Sequence, residues 1–264
     1  MTVRQGFMID GACDRGLADA VAFAAKHGFD FVELNMEQGY DRRRTDADRV
    51  ADLVDDAGIG LVVHLPYRLD VGSPHEHVRE GACRELEASV DCAAAMGTEG
   101  AVYHAASDVL PGVWDDGTVE AAVHESAQRL HEYGADRGVE LLAENLKRPT
   151  FTAADFPALF AKTEATMCLD TGHAHATGTT AADQAALLRE HGDRIAHVHL
   201  NDTRRDDDDE HLPVGLGRVN FAEIVAAMVD TDWSGTCTHE VYGFDLTYAA
   251  AGKERFDDLL AAAQ

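Results

Sequence analysis

Gly138-Val139-Glu140-Leu141-Leu142-Ala143-Glu144 is a short apolar run that opens on a helix-stopping glycine and closes on a carboxylate. A buried strand of about 4–8 residues bounded by a turn reads this way. Helical patterns lie on either side, near 118–137 and 153–163, so the run belongs to a strand-then-helix unit. The same unit repeats outward in both directions. Candidate strands fall at 3–9, 30–35, 60–65, 100–105, 139–144, 166–170, 195–200 and 236–241. The further helical patterns are near 16–27, 43–57, 76–96, 180–191, 220–229 and 248–263, and Gly28, Gly58, Gly97 and Gly138 punctuate the first four helix ends. Repeated units in 264 residues predict an α/β fold, a single closed (β/α)8 TIM barrel over 1–264, a fold that takes about 250 residues. A doubly wound open sheet would announce itself with a glycine-rich phosphate loop after the first strand. Met8-Ile9-Asp10-Gly11-Ala12-Cys13 lacks that spacing.

Charge is the unusual bulk property. Asp and Glu total 48 against 22 Lys and Arg, a net charge of −26, and only four of the bases are lysines. The acids are spread along the whole chain, which favours a hydrated surface adapted to concentrated salt (a halophilic protein) over a surface built to repel nucleic acid. At about 1 M salt the Debye length is about 3 Å, so the net charge excludes no partner. The five cysteines (Cys13, Cys83, Cys92, Cys168 and Cys237) are scattered without a Cys-x-x-Cys pair and read as small buried hydrophobes in a reducing compartment. Membrane spans need about 20 apolar residues, and no such run or signal-peptide pattern is present, so the expectation is a cytoplasmic protein with no membrane partner. The connection from about 201 to 219, which carries Asp206-Asp207-Asp208-Asp209-Glu210, is expected to be a functional loop of the barrel.

The chemistry lies in where the strands end. His64, His104, Glu144, Asp170, His199 and Glu240 finish the third to eighth strands in turn. In a barrel these ends meet on one face, where the active sites of this fold sit. Burying so many ionisable groups together is costly unless a cation compensates, which points to a shared metal site. Imidazole and carboxylate without thiolate suit Zn²⁺, Mn²⁺, Co²⁺ or Fe²⁺ better than Ca²⁺. Strand alternation turns Thr236, Thr238 and Glu240 inward and His239 toward the helices, and it gives His197 the parity of His199 one layer deeper, in a supporting position. His173 follows Asp170 by three residues in what reads as a loop. His211 precedes the Gly215-Leu216-Gly217 turn, which would fold the loop back over the metal. Asp209 reads equally well as a ligand or as part of a solvated acidic run.

Cys168-Leu169-Asp170-Thr171-Gly172-His173, His199-Leu200-Asn201-Asp202 and His211 through Gly217 resemble the xylose isomerase-like TIM-barrel superfamily, and the resemblance covers nearly the whole chain. That superfamily holds sugar isomerases and epimerases together with endonuclease IV, of AP endonuclease family 2. Resemblance to the epimerases implies one metal on Glu144, Asp170, His199 and Glu240. Glu144 and Glu240 would then exchange a proton with a small sugar or sugar phosphate through an ene-diolate, while His173 holds a substrate oxygen. Resemblance to endonuclease IV implies three zinc ions and abasic DNA, and adds His64, His104, His173, Asp209 and His211 to the ligands. Glu33 within Gly28–Leu34, and the run Val63-His64-Leu65-Pro66-Tyr67, are similar to the sugar isomerases. Asn145-Leu146-Lys147-Arg148-Pro149 after Glu144, and Ala105-Ala106-Ser107 after His104, depart from the nuclease pattern. Glu33, His173, Lys147, Arg204 and Arg205 are the expected substrate-binding residues. The expected function is a divalent-metal-dependent isomerase or epimerase carrying Zn or Mn, as one ion and at most three. A zinc phosphodiesterase is the alternative, and a dehydrating lyase would share the first steps. Metal count separates these readings.

Overall fold

The computed structural model describes residues 1–9, 16–110, 112–147, 151–243 and 245–264; Cys13, Arg148 and Pro149 lie outside these. β-branched and aliphatic runs make the strands β1 (Val3–Ile9), β2 (Phe31–Asn35), β3 (Gly60–His64), β4 (Gly100–His104), β5 (Glu140–Glu144), β6 (Thr166–Asp170), β7 (Ile195–Leu200) and β8 (Gly235–His239). They pair in parallel in chain order, and β8 returns to β1, closing the barrel expected from the sequence. Strand boundaries agree with the sequence reading to within two residues.

The helices on the outside are α1 (Leu17–Lys26), α2 (Ala47–Ala57), α3 (Glu76–Ala95), α4 (Asp116–Ala135), α5 (Phe156–Lys162), α6 (Thr171–Ala176), α7 (Ala181–His191), α8 (Phe221–Asp230) and α9 (Thr247–Ala263). Two depart from expectation. α2 begins at Ala47 because the Asp46 carboxylate accepts from the Arg49 N–H and caps it there. α6 occupies residues expected to be loop. Gly58 ends α2 at φ 67, in the left-handed conformation that glycine adopts without penalty. Among the described residues no helix is long and apolar enough to cross a membrane.

Alternation sorts every strand into two faces. The outward face packs on the helices in one large apolar core that includes Leu34, Val63, Tyr103, Leu141, Leu169 and Val198. His239 belongs to this face, as expected: its Nε2 lies 3.0 Å from Gln5 Oε1, and its ring meets Phe29 and Phe256. The inward face is layered. Phe31, Val62, Val102, Leu142 and Cys168 form a closed apolar plug. The next inward residue of each of those strands is Glu33, His64, His104, Glu144 and Asp170 in turn. The barrel thus changes from hydrocarbon to ionisable groups within one pleat. Cys83, Cys168 and Cys237 are buried and Cys92 half-buried, all as free thiols.

Candidate metal centre

Glu144, at the end of β5, is where the ionisable layer converges. Its Oε2 lies 3.2 Å from His64 Nε2 and 3.2 Å from His104 Nε2. Its Oε1 lies 2.9 Å from His199 Nδ1. That same imidazole nitrogen lies 3.3 Å from Glu240 Oε2 and 3.8 Å from Asp170 Oδ2. A third group forms above them, where Asp209 Oδ2 lies 2.8 Å from His211 Nδ1 and 3.3 Å from His173 Nε2. Within each group (His64, His104, Glu144; Glu144, Asp170, His199, Glu240; His173, Asp209, His211) the donor atoms lie within 4.8 Å of one another. The first two groups share Glu144, and His211 Nε2 approaches Glu240 Oε2 at 3.5 Å to join the third.

Local folding explains these placements. His64 Nδ1 meets the Leu65 carbonyl at 2.8 Å, and His173 Nδ1 meets the Asn145 carbonyl at 3.0 Å. A carbonyl only accepts, so both rings keep a proton on Nδ1 and turn Nε2, the nitrogen left to bind a metal, to the centre. Asp170 ends β6 and caps α6: its Oδ1 accepts from the His173 N–H and its Oδ2 from Asn201 Nδ2. His173 therefore stands in the first turn of a helix and not in a loop. Gly172 is required here, because a Cβ would come within 1.7 Å of Asn201 Oδ1. The connection after β7 is folded by the buried Asp202, whose carboxylate accepts from the N–H groups of Thr203, Gly215, Gly217 and Val219. This clamp, with the Asp202–Leu212 bridge, carries Asp209 and His211 back over the barrel. Asp209 leaves the acidic run to join the third group, and His211 takes a left-handed φ of 48 to do so.

The electrostatics call for cations. Burial raises the Glu144 carboxyl, but His199, His104 and His64 more than offset this and hold it well below the usual carboxylate range. Burial carries Asp170 up to about 7, with His173 opposing and Glu240, Asp209 and Glu144 adding to the rise. Burial works to lower the two upper histidines, yet Asp170 and Asp209 lift His173 to about 9, and Glu240 and Asp209 lift His211 to about 10. Burial keeps His104 below its ordinary value. Among the described residues, Asp209 Oδ2 and Glu240 Oε2 are buried and make no hydrogen bond of normal geometry, although imidazole nitrogens lie close by. Buried carboxylate oxygens that make no hydrogen bond of normal geometry, facing imidazole nitrogens that can give up their protons to a cation, are a donor set that fits divalent metal.

A cavity of ≈ 280 Å³ opens onto these groups, with Tyr67, Arg68, Lys147 and Tyr242 on its walls. Tyr242 stacks flat on His211, with ring centroids 3.8 Å apart. The sequence reading missed Tyr67, Arg68 and Tyr242 as wall residues. Strand parity offered a signal for Tyr242, two residues beyond Glu240. Lys147 lies on the wall, and its Nζ pairs with Asp208 at 2.8 Å. Three expectations are corrected. Glu33 does not reach the cavity; it is fully buried beneath it. Arg204 and Arg205 are exposed on the outer side of the loop, where Arg204 pairs with Glu210 and Arg205 with Asp207 and Asp208. The acidic run attracts both guanidinium groups away from the cavity. A larger cavity of ≈ 350 Å³ between the β4–α4 loop and α5 is lined by none of the residues of the three donor groups. Cys168, His197 and His199 also cluster, but Glu33 occupies both Nε2 atoms and burial pushes the thiol well above its usual range, so they form the floor of the site.

The model of the family described as xylose isomerase-like TIM barrel matches residues 21–260, and the chain belongs to that family. A protein of Mycobacterium leprae named "Probable endonuclease 4" is 26% identical over 220 residues, covering 80% of this chain and 84% of that protein. Among solved structures, a D-tagatose 3-epimerase-like protein superposes with a TM-score of 0.82 at 22% identity, covering 98% of each chain. An L-ribulose 3-epimerase superposes with a TM-score of 0.83 at 18% identity, covering 99% of this chain and 96% of that one. At these identities the two structures bear on the fold.

Proposed function

We propose that this xylose isomerase-like barrel is a multinuclear, divalent-metal-dependent phosphoester hydrolase that acts on a sugar phosphate unit, with an abasic site in DNA as the leading substrate. One observation carries the reading: the strand-end residues, with His173, Asp209 and His211 above them, form three donor groups joined through Glu144 and Glu240, where a single-metal sugar enzyme needs only Glu144, Asp170, His199 and Glu240. His64, His104 and Glu144 would hold one ion. Glu144, Asp170, His199 and Glu240 would hold a second, and His173, Asp209 and His211 a third. Zinc suits this set best. Bound together, the ions would supply a deprotonated water at neutral pH and charge stabilisation for the phosphoryl oxygens.

The chain's own residues do the rest. Arg68 and Lys147 line the same cavity as the ligands and would bring positive charge to a phosphate held there. Tyr67 and Tyr242 provide flat faces for the sugar ring or an adjoining base. At ≈ 280 Å³ the cavity suits one sugar phosphate unit. The M. leprae relative, by its name an endonuclease, favours the same chemistry.

A second reading, sugar isomerisation or epimerisation at the central group alone, is favoured by Glu144 and Glu240. Both approach the same imidazole nitrogen, at 2.9 and 3.3 Å, as a pair of proton-exchanging bases would around a bound substrate. Metal analysis of the purified protein, followed by assays on an abasic-site oligonucleotide and a panel of ketoses at low and high salt, tests both. Three ions per chain with strand cleavage are expected. One ion per chain with ketose turnover would replace the first reading with the second.

A further inference from the structure

We infer that Glu33, in the middle of β2, is a positioning residue that holds the His199 ring in the tautomer and orientation able to bind the central metal. The inference rests on the metal-centre reading above. His199 lies between two sets of carboxylates. Its Nδ1 faces Glu144, Glu240 and Asp170, and its Nε2 lies 3.1 Å from Glu33 Oε1. A neutral imidazole has one proton to place, and an ionised carboxylate can only accept. Glu33 therefore keeps the proton on Nε2 and leaves the Nδ1 lone pair for the cation. An imidazole hydrogen-bonded in this way is also a stronger donor to the metal.

Glu33 is itself fixed from two further sides. Its Oε2 lies 3.2 Å from His197 Nε2 and accepts from the Thr238 hydroxyl, while His197 Nδ1 meets the Thr236 hydroxyl at 2.6 Å. Both the Glu33 and His199 side chains are fully buried. A buried anion one imidazole below a cation centre is costly to maintain for stability alone. Glutamine, the closest neutral replacement, would bring an NH₂ donor into a ring of donors and force one of the two imidazoles to exchange tautomers.

The test strips the full chain of metal and titrates it with Zn²⁺ against a competing chelator, in wild type, Glu33→Gln and Thr238→Val. A thermal melt of each metal-free protein is recorded alongside. In Glu33→Gln the number of zinc ions should be unchanged and the central ion about 10–100-fold weaker, with a shifted visible spectrum when Co²⁺ replaces Zn²⁺. Thr238→Val keeps the carboxylate and removes one of its anchors, and should weaken the same ion severalfold. Wild-type zinc affinity in folded Glu33→Gln, whatever its melting temperature, overturns the inference and leaves the metal centre standing. If Glu33→Gln does not fold, the Thr238→Val affinity decides, and no change there overturns it. A wild-type chain that takes up no zinc overturns the metal centre and this inference together.

Discussion

The barrel mouth holds its donors in two different ways. His64, His104, Glu144, Asp170 and His199 sit on the last residues or inner positions of strands, and Glu240 directly follows β8. Their backbone is fixed by ladders on both sides, and the apolar plug supports them from below. His173, Asp209 and His211 sit on a short helix and a loop. Their positions depend on Asp170 capping α6 and on Asp202 gathering four backbone N–H groups. The strand-borne groups are preorganised by the fold, and the loop-borne group by side chains that the fold does not require. The first should therefore keep its metal when the loop is perturbed, and the second should be the separable part.

Glu144→Ala breaks the strand-borne half at its shared ligand. It should remove two ions of three and lower hydrolysis by on the order of 1000-fold or more, read by metal analysis and turnover of the metal-loaded protein. Retention of all three ions would end the proposed sharing. Asp209→Asn should cost the third ion alone and on the order of 100-fold in rate, with the other two ions held at wild-type affinity. Equal loss from all three groups would show that the halves are not separable. Asp202→Ala touches no ligand. It leaves four backbone donors without their acceptor, and one such buried loss costs about 1–3 kcal/mol. A lowered melting temperature and a weakened third ion are expected, with the strand-borne ions unchanged.

The pH dependence probes the loop-borne half most gently. His173 and His211, raised to about 9 and about 10, must give up protons before they can bind metal. Zinc affinity of the third group should therefore climb with pH from the neutral range toward those values, and proton release should accompany loading. The sign for the metal-free fold is opposite. Raised histidine pKa values stabilise it fully below the unfolded value of about 6.5, and that contribution is lost as pH rises through about 9 and then about 10. Melting curves of chelator-treated protein between neutral and alkaline pH check this. A flat profile would mean that these two imidazoles are not held by their carboxylates.

Most of this was legible in the chain. The alternation of short apolar runs with helical patterns gave the barrel because strand and helix periods are local properties. Strand parity gave the inward direction of Glu240 and the outward direction of His239 for the same reason. Tertiary contacts decided the rest. The sequence left Asp209 balanced between ligand and solvated acid, because only the Asp202 clamp brings it under His173 and His211. It placed Arg204 and Arg205 in the site, whereas the neighbouring acids pair with them on the outer side of the loop. It assigned Glu33 to substrate, since an acid within a strand has no readable depth until the barrel closes. The sequence by itself determined which residues end the strands, because local pattern sets that. Their division into three donor groups, and the placement of Glu33 beneath them, came only from the tertiary structure, since closure of the barrel brings atoms from distant parts of the chain within ligand distance.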